Sequence, residues 1–304
     1  MALPFEIITE IFLRAPVKSF YRAKTVCKLW FGLFAQSVLA KMHYDLAVDQ
    51  NRIAKKIMFF SCFVNEILSV DVTKPLVALD ATCILRSPLG NSIRYSKIVG
   101  TCRGMVLISV PTLMLIWNPS TGFTRSFCPW SATTISICGD VFDMNLYGFG
   151  YDRSEDNYVV LQIYLSKRDT SHHTLLYSVN DDSWRDFEHD SLSTITHPSV
   201  SVHQGSMGLY FADSLHWITF NYETNADFIL AYNLFESKFY QLSIPDDWDY
   251  TVDIWEMKEY GVTTSWSKLT CMQVSNHISE YMLPACSSEN SLVFVNNESG
   301  LLAT

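Results

Sequence analysis

The sequence predicts a small all-α head of three helices followed by an all-β domain, a β-propeller-like array of short antiparallel sheets. Two observations carry this. Apolar residues come at helical spacing before about residue 55 and in short β-branched and aromatic runs after it. An aromatic–turn–aromatic unit then recurs along the second part, as a stack of small sheets requires.

In the head, LPFEIITEIFLRAPVKSFYRAKTVCKLW spans residues 3–30. Pro4 suits a first helical turn, where its missing N–H costs nothing. Glu6 and Glu10 lie at the end that favours negative charge. Ile7, Ile8, Ile11 and Phe12 make one apolar stripe. Pro16 disfavours helical geometry at Ala15, so the first helix should stop near Arg14. A second helix is expected from Val17 to Val26. A third carries Cys27, Trp30, Phe31 and Phe34, with Val38–Tyr44 as its extension.

The strands that follow include KKIMFFSCFV, RGMVLISV, LMLIWN, YVVLQIYL, TLLYSVN, GLYFADSLHWITF, FILAYNL and SLVFVN. Turn clusters divide them and no long helical pattern intervenes, which predicts antiparallel sheets. The stretches IWNPSTGFTRSF, LYSVNDDSWRDF, AYNLFESKFYQL and EYGVTTSWSKL read as one repeated hairpin, with an aromatic on each strand. A β-sandwich with long loops accounts for the strands but less well for the repeat.

Net charge is −9, unevenly spread. Residues 1–56 carry nine Lys/Arg and four Asp/Glu, a balance of +5; the remainder carries thirteen and twenty-seven, a balance of −14. An acidic body argues against nucleic-acid binding. The eight cysteines form no CxxC pair, as expected of reduced thiols in an intracellular protein. The start resembles no signal peptide, and the run MVLISVPTLMLIW is too short to span a bilayer, so a soluble protein is expected.

The residues of the head resemble an F-box of the plant type: Leu3-Pro4, Glu6-Ile7-Ile8, Ile11, Leu13-Arg14, Pro16-Val17-Lys18-Ser19, Arg22, and Val26-Cys27-Lys28 followed by Trp30. Ala15 departs from that form, which has a larger aliphatic there. GTCRGMVLIS, IWNPSTG, YGFGYDRSEDNYVV, LYSVNDDSW, SLHWI and VDIWEMKEYGVTTSWSKL resemble the F-box-associated, kelch-like domain of plant F-box proteins. The last stretch is also similar to the S-locus F-box subgroup. The resemblance implies an F-box over 1–45, a linker over 46–56 and the associated domain over 57–304, with a last blade left incomplete.

It further implies a non-catalytic substrate receptor of an SCF-type (Skp-cullin-F-box) ubiquitin ligase, located in cytoplasm or nucleus. The F-box would bind a Skp-type adaptor, and through it cullin and RING subunits, while the β domain holds an unidentified protein target. No cofactor, metal, nucleic acid or membrane is implied. The adaptor contacts carried over are Leu3, Pro4, Ile7, Ile8, Pro16, Val17, Val26, Cys27 and Trp30. A propeller enzyme or carbohydrate-binding module, with the head as packing, is the alternative.

Other motifs read as structure. Gly100-Thr101-Cys102-Arg103-Gly104 mimics a nucleophile elbow, but a strand pattern follows where an elbow needs a helix. YGFGYD lacks the third glycine of a phosphate loop, and its glycines suit close backbone approach in a sheet. The histidines lack metal-ligand spacing. The acidic groups around Asp152, Asp181 and Asp246 sit in turn signals; together they could give one face a negative potential that selects a basic target.

Overall fold

The computed structural model describes residues 4–16, 19, 22–23, 25–28, 30–31, 37–50, 56–61, 66–71, 82–85, 88–89, 96–110, 112–130, 145–165, 172–187, 200–202, 207–245, 251–273, 283–288 and 291–296. The chain divides into two compact units. One holds residues 1–96, 103–106 and 115–125; the other holds 97–102, 107–114 and 126–304. Among the described residues no helix is long and apolar enough to cross a membrane.

In the first unit, α1 (Phe5–Arg14) starts after Pro4 and ends where expected, with Ala15 extended at φ −75°, ψ 153° ahead of Pro16. The helical carbonyls this leaves unpaired need donors. Ala15 N–H donates to the Phe12 carbonyl at 3.1 Å, and His43 Nε2–H donates to the Ala15 carbonyl at 2.7 Å. His43 lies on α2 (Ser37–Asp49), which runs past the boundary expected at residue 45. The expected count of three helices is not confirmed. Two helices are described in full; between them Ser19, Arg22, Ala23, Lys28, Trp30 and Phe31 have helical backbone. The segment 38–44 lies within α2; residues 32–36, between it and Phe31, lie outside the described residues.

Three strands, β1 (Lys56–Ser61), β2 (Glu66–Asp71) and β3 (Thr82–Leu85), form an antiparallel sheet with β2 central. Its Ile67 and Ser69 are buried. The next sheet orders β4 (Lys97–Cys102), β5 (Met105–Val110), β6 (Leu113–Trp117) and β7 (Thr124–Phe127) as a meander. Arg103 and Gly104 join β4 to β5 with φ of 48° and 77°. Positive φ at both central residues is the hairpin turn that matches strand twist. A strand follows and Cys102 is buried, so the elbow geometry is absent. Arg103 is ion-paired with Asp45 and lies over the Tyr44 ring, 5.0 Å from its centroid.

In the second unit, β8 (Asn145–Asp152), β9 (Asn157–Leu165), β10 (His172–Ser178) and β11 (Ser183–Phe187) make one meander. A second comprises β13 (Met207–Phe211), β14 (Ser214–Asn221), β15 (Ala226–Asn233) and β16 (Lys238–Ser243), with β12 (Val200–Val202) also pairing β14. The two join where β8 and β13 run parallel, among the described residues through Tyr147/Met207 and Gly148/Gly208. Glycine is required there. A Cβ on Gly208 would stand 2.7 Å from Gly148 Cα, and one on Gly148 2.6 Å from Trp217 Cζ2. Trp217 is fully buried and donates Nε1–H to the Tyr147 carbonyl at 2.9 Å. The glycines of YGFGYD therefore serve close approach, as the sequence predicts.

Ser214 to Thr219 of β14 are all buried, without the in–out alternation of a sheet wetted on one face. Leu161, Leu215, Trp217, Leu230 and Phe239 belong to one core cluster, and Ile218, Ile229, Leu242 and Met257 to another. The last sheet orders β18 (Trp266–Gln273), β17 (Thr251–Met257), β20 (Ser291–Asn296) and β19 (Leu283–Ser288).

Two of the four predicted repeats have an aromatic on each strand, directly paired. Tyr177 faces Trp184, and Tyr232 faces Phe239, with ring centroids 5.3 and 4.7 Å apart. In IWNPSTGFTRSF, Phe123 precedes β7. The fourth departs most. Tyr260 lies in the connection after β17, where Gly261 at φ 79° and a 3-10 turn over Thr263–Ser265 occupy the place of a tight hairpin. Trp184 and Trp266 share a further role. Each donates its indole N–H just beyond the outer strand of the preceding meander or to its end, at Cys128 (3.0 Å) and Ser243 (3.0 Å). Phe127 stacks on Tyr177 at 4.0 Å beside the first of these contacts.

Candidate adaptor-docking head and turn cleft

The head divides its apolar residues between two faces. Leu13 and Ala23 are buried, and Phe12 meets Trp30 edge-to-face at 5.1 Å. Ile8 is half-buried. Ile7 and Ile11, one helical turn apart, stay 47% and 53% exposed, and Val26 and Phe31 are 64% and 60% exposed. The single stripe read from the sequence is thus two faces. Residues seven and eight differ by about 100° around a helix, so Ile8 and Phe12 turn inward while Ile7 and Ile11 face water.

Of the expected adaptor contacts, Pro4, Ile7, Pro16, Val26 and Cys27 are exposed, and Ile8 is half-buried. Trp30 is half-buried against Phe12 and its backbone N–H donates to Cys27 Sγ at 3.5 Å, so both residues help fix the local backbone. Leu3 and Val17 lie outside the described residues. Ile11 and Phe31 are exposed apolar residues absent from the expected set. Helical phase identifies Ile11, which follows Ile7 by four positions.

The turns of the β domain, one in the first unit and four in the second, carry a construction the sequence reading did not isolate. An aromatic ends a strand, and an Asn, Asp or Ser follows whose side-chain oxygen accepts backbone N–H bonds from the turn. A residue with positive φ closes the turn four positions later. The five instances begin at Trp117, Tyr151, Tyr177, Phe220 and Tyr232. The capping residues are Asn118, Asp152, Ser178, Asn221 and Asn233. The closing residues are Gly122, Asp156, Asp182, Asn225 and Ser237, with φ between 51° and 72°. Asn and Asp tolerate that conformation better than most residues. Tyr151 and Tyr177 also donate their hydroxyls to Asp156 and Asp182.

Two of these turns, with Asp213 from the β13–β14 turn, enclose a cleft of about 310 Å³ lined by Tyr151, Asp152, Arg153, Ser154, Asp213, Leu234 and Phe235. Tyr151 and Leu234 are buried, whereas Phe235 is 75% exposed. Arg153 Nε lies 2.9 Å from Asp213 Oδ1. The Tyr210 hydroxyl has two acceptors for its one proton, the Tyr151 carbonyl at 2.8 Å and Asp213 Oδ1 at 2.9 Å. Burial pushes that phenol far above its ordinary range, Cys102 and Asp213 add to the shift, and Tyr210 is a neutral donor.

Comparison with known proteins agrees with this geometry. A family model described as the F-box associated beta propeller domain matches residues 55–247, more than half of the chain. The F-box/kelch-repeat protein At3g23880 of Arabidopsis thaliana is 25% identical, over 98% of this chain and 86% of its own. The F-box protein CPR1 of the same plant is 24% identical, over 97% of this chain and 80% of its own. Both alignments run through head and β domain together. The chain belongs to the F-box-associated domain family of plant F-box proteins.

Proposed function

We propose that the chain is the substrate-receptor subunit of an SCF-type ubiquitin ligase. Residues 1–45 act as the F-box and dock a Skp-type adaptor, which brings cullin and RING subunits. Residues 46–56 link them to a target-binding domain over 57–304 whose sheets act as the blades of a propeller. The receptor performs no chemistry of its own; it raises the target's effective concentration beside the ubiquitin-carrying enzyme.

The observation that supports this most is the second apolar face of α1. Ile7 and Ile11 remain in water although Leu13 and Ala23 already supply the head with a core. Exposed aliphatics at helical spacing suit a groove on a partner. Pro4, Ile7, Ile8, Pro16, Val26, Cys27 and Trp30, with Leu3 and Val17, are the contacts expected from the sequence, and the exposed Ile11 joins them in the proposed contact set. Within it Cys27 and Trp30 also hold the head together.

Co-expression with a Skp-type adaptor tests the assignment. The full chain should co-purify with the adaptor, and removal of residues 1–45 or the double change Leu3→Ala, Pro4→Ala should abolish this. Undiminished co-purification of the double variant would remove the docking assignment.

A further inference from the structure

We propose that the cleft among the turns at 152–156, 212–213 and 233–237 binds a basic segment of the target protein, one arginine or lysine side chain entering it. The proposal rests on the receptor reading above and names the class of target.

Phe235 is the first observation. A turn position ordinarily carries a polar residue, yet this ring is 75% exposed, and it lines the cleft together with the buried Leu234. An exposed ring at the mouth of a cleft can offer its face to a cation. The volume, about 310 Å³, suits one long side chain and its hydration rather than a helix.

The charge around the cleft selects the occupant. Asp152, Glu155, Asp156, Asp213 and Glu236 outnumber Arg153 and Lys238 by five to two over these turns. Asp152 accepts from the Ser154 hydroxyl at 2.6 Å and Glu236 accepts from the Tyr240 hydroxyl; both donors are hydroxyls and bring no positive charge to the cleft. Arg153 against Asp213 shows a guanidinium already held at a carboxylate of the cleft. That pair is solvent-exposed and so weak enough for an incoming cation to exchange with it. A basic segment gains from both features at once, the long-range field and the short-range ring contact.

The test uses the full chain co-purified with its adaptor. The probes are a fluorescein-labelled peptide of arginines alternating with serines and the same peptide with glutamates, read by anisotropy. The arginine peptide should bind and the glutamate peptide should not. Phe235→Ala should weaken binding about tenfold. Glu155→Lys with Glu236→Lys should weaken it further. Tyr222→Ala, which removes an aromatic 64% exposed on a different turn, should leave it unchanged. Equal binding to wild type and Phe235→Ala, comparable binding of the glutamate peptide, or no arginine-peptide binding would each overturn the proposal. Adaptor retention is read in the same samples. Its loss in wild type overturns the receptor reading, whereas failed peptide binding with adaptor retained overturns the cleft alone.

Discussion

Acidification should unfold this protein in part through one buried histidine. His216 is fully buried on β14, with Nδ1 3.2 Å from the Leu209 carbonyl and Nε2 2.7 Å from the Tyr260 hydroxyl. Nδ1–H donates to the first and Nε2 accepts from the second, a pattern that needs the neutral ring. Burial lowers its pKa from 6.5 to about 4, opposed by hydrogen bonds to the Leu209 and Ser214 backbone. A depressed folded value means the unfolded chain takes up the proton first. The contribution is therefore complete above pH 6.5 and is lost as pH falls toward 4. At 1.36 kcal/mol per unit, the whole window is worth about 3 kcal/mol, of which roughly 1 kcal/mol goes between pH 7.5 and 5.5. Urea denaturation of wild type and His216→Gln across this range separates the histidine from the carboxylates that titrate alongside it. Glutamine can donate to one partner and accept from the other but does not titrate here, so the variant's stability should fall less steeply with acid. Identical slopes would refute the assignment of a neutral, hydrogen-bonded ring at this site.

Packing supplies two further predictions. Gly208→Ala should destabilise by about 2 kcal/mol or more in chemical denaturation, because its Cβ would meet backbone at 2.7 Å. Gly122→Ala, at φ 72° with nothing within 4 Å, should cost only about 1 kcal/mol, from backbone strain alone; comparable losses at both sites would contradict the close-approach account. Trp184→Phe keeps an aromatic beside Tyr177 but removes the bond to the Cys128 carbonyl, and should cost about 1 kcal/mol in the same assay.

Strand content, the glycine turn at 103–104 and the end of α1 were legible because each depends on local chemistry: β-branched runs, paired positive φ, and a proline two residues beyond Arg14. The repeat was legible only in outline. Its aromatics stand out in sequence, whereas the capping Asn, Asp or Ser and the left-handed closing residue look like ordinary turn polarity until their hydrogen bonds are seen. The instance at Phe220 escaped notice because Asp227 stands opposite it in place of the second aromatic; the one at Tyr151 does carry that aromatic, Tyr158, with ring centroids 5.1 Å apart. Tyr260 shows the opposite failure. Its spacing from Trp266 imitates the repeat, but the ring serves the buried His216 from a longer connection. In the head, composition could not separate Ile7 from Ile8; only the position of the remaining helical residues decides which one faces inward. The cleft depends on turns more than fifty residues apart in sequence, and nothing local to Phe235 announces that Tyr151 and Asp213 lie beside it.

The central claim is that α1 keeps an apolar face for a second protein. Calorimetric titration of the full chain with a purified Skp-type adaptor measures it directly, comparing wild type with Ile7→Glu, Ile11→Glu. Both positions are already exposed, so the variant should retain the circular dichroism and thermal unfolding of wild type. Placing two carboxylates in an apolar interface should weaken adaptor binding by about a hundredfold or more. A folded variant that binds the adaptor as wild type does would contradict the account.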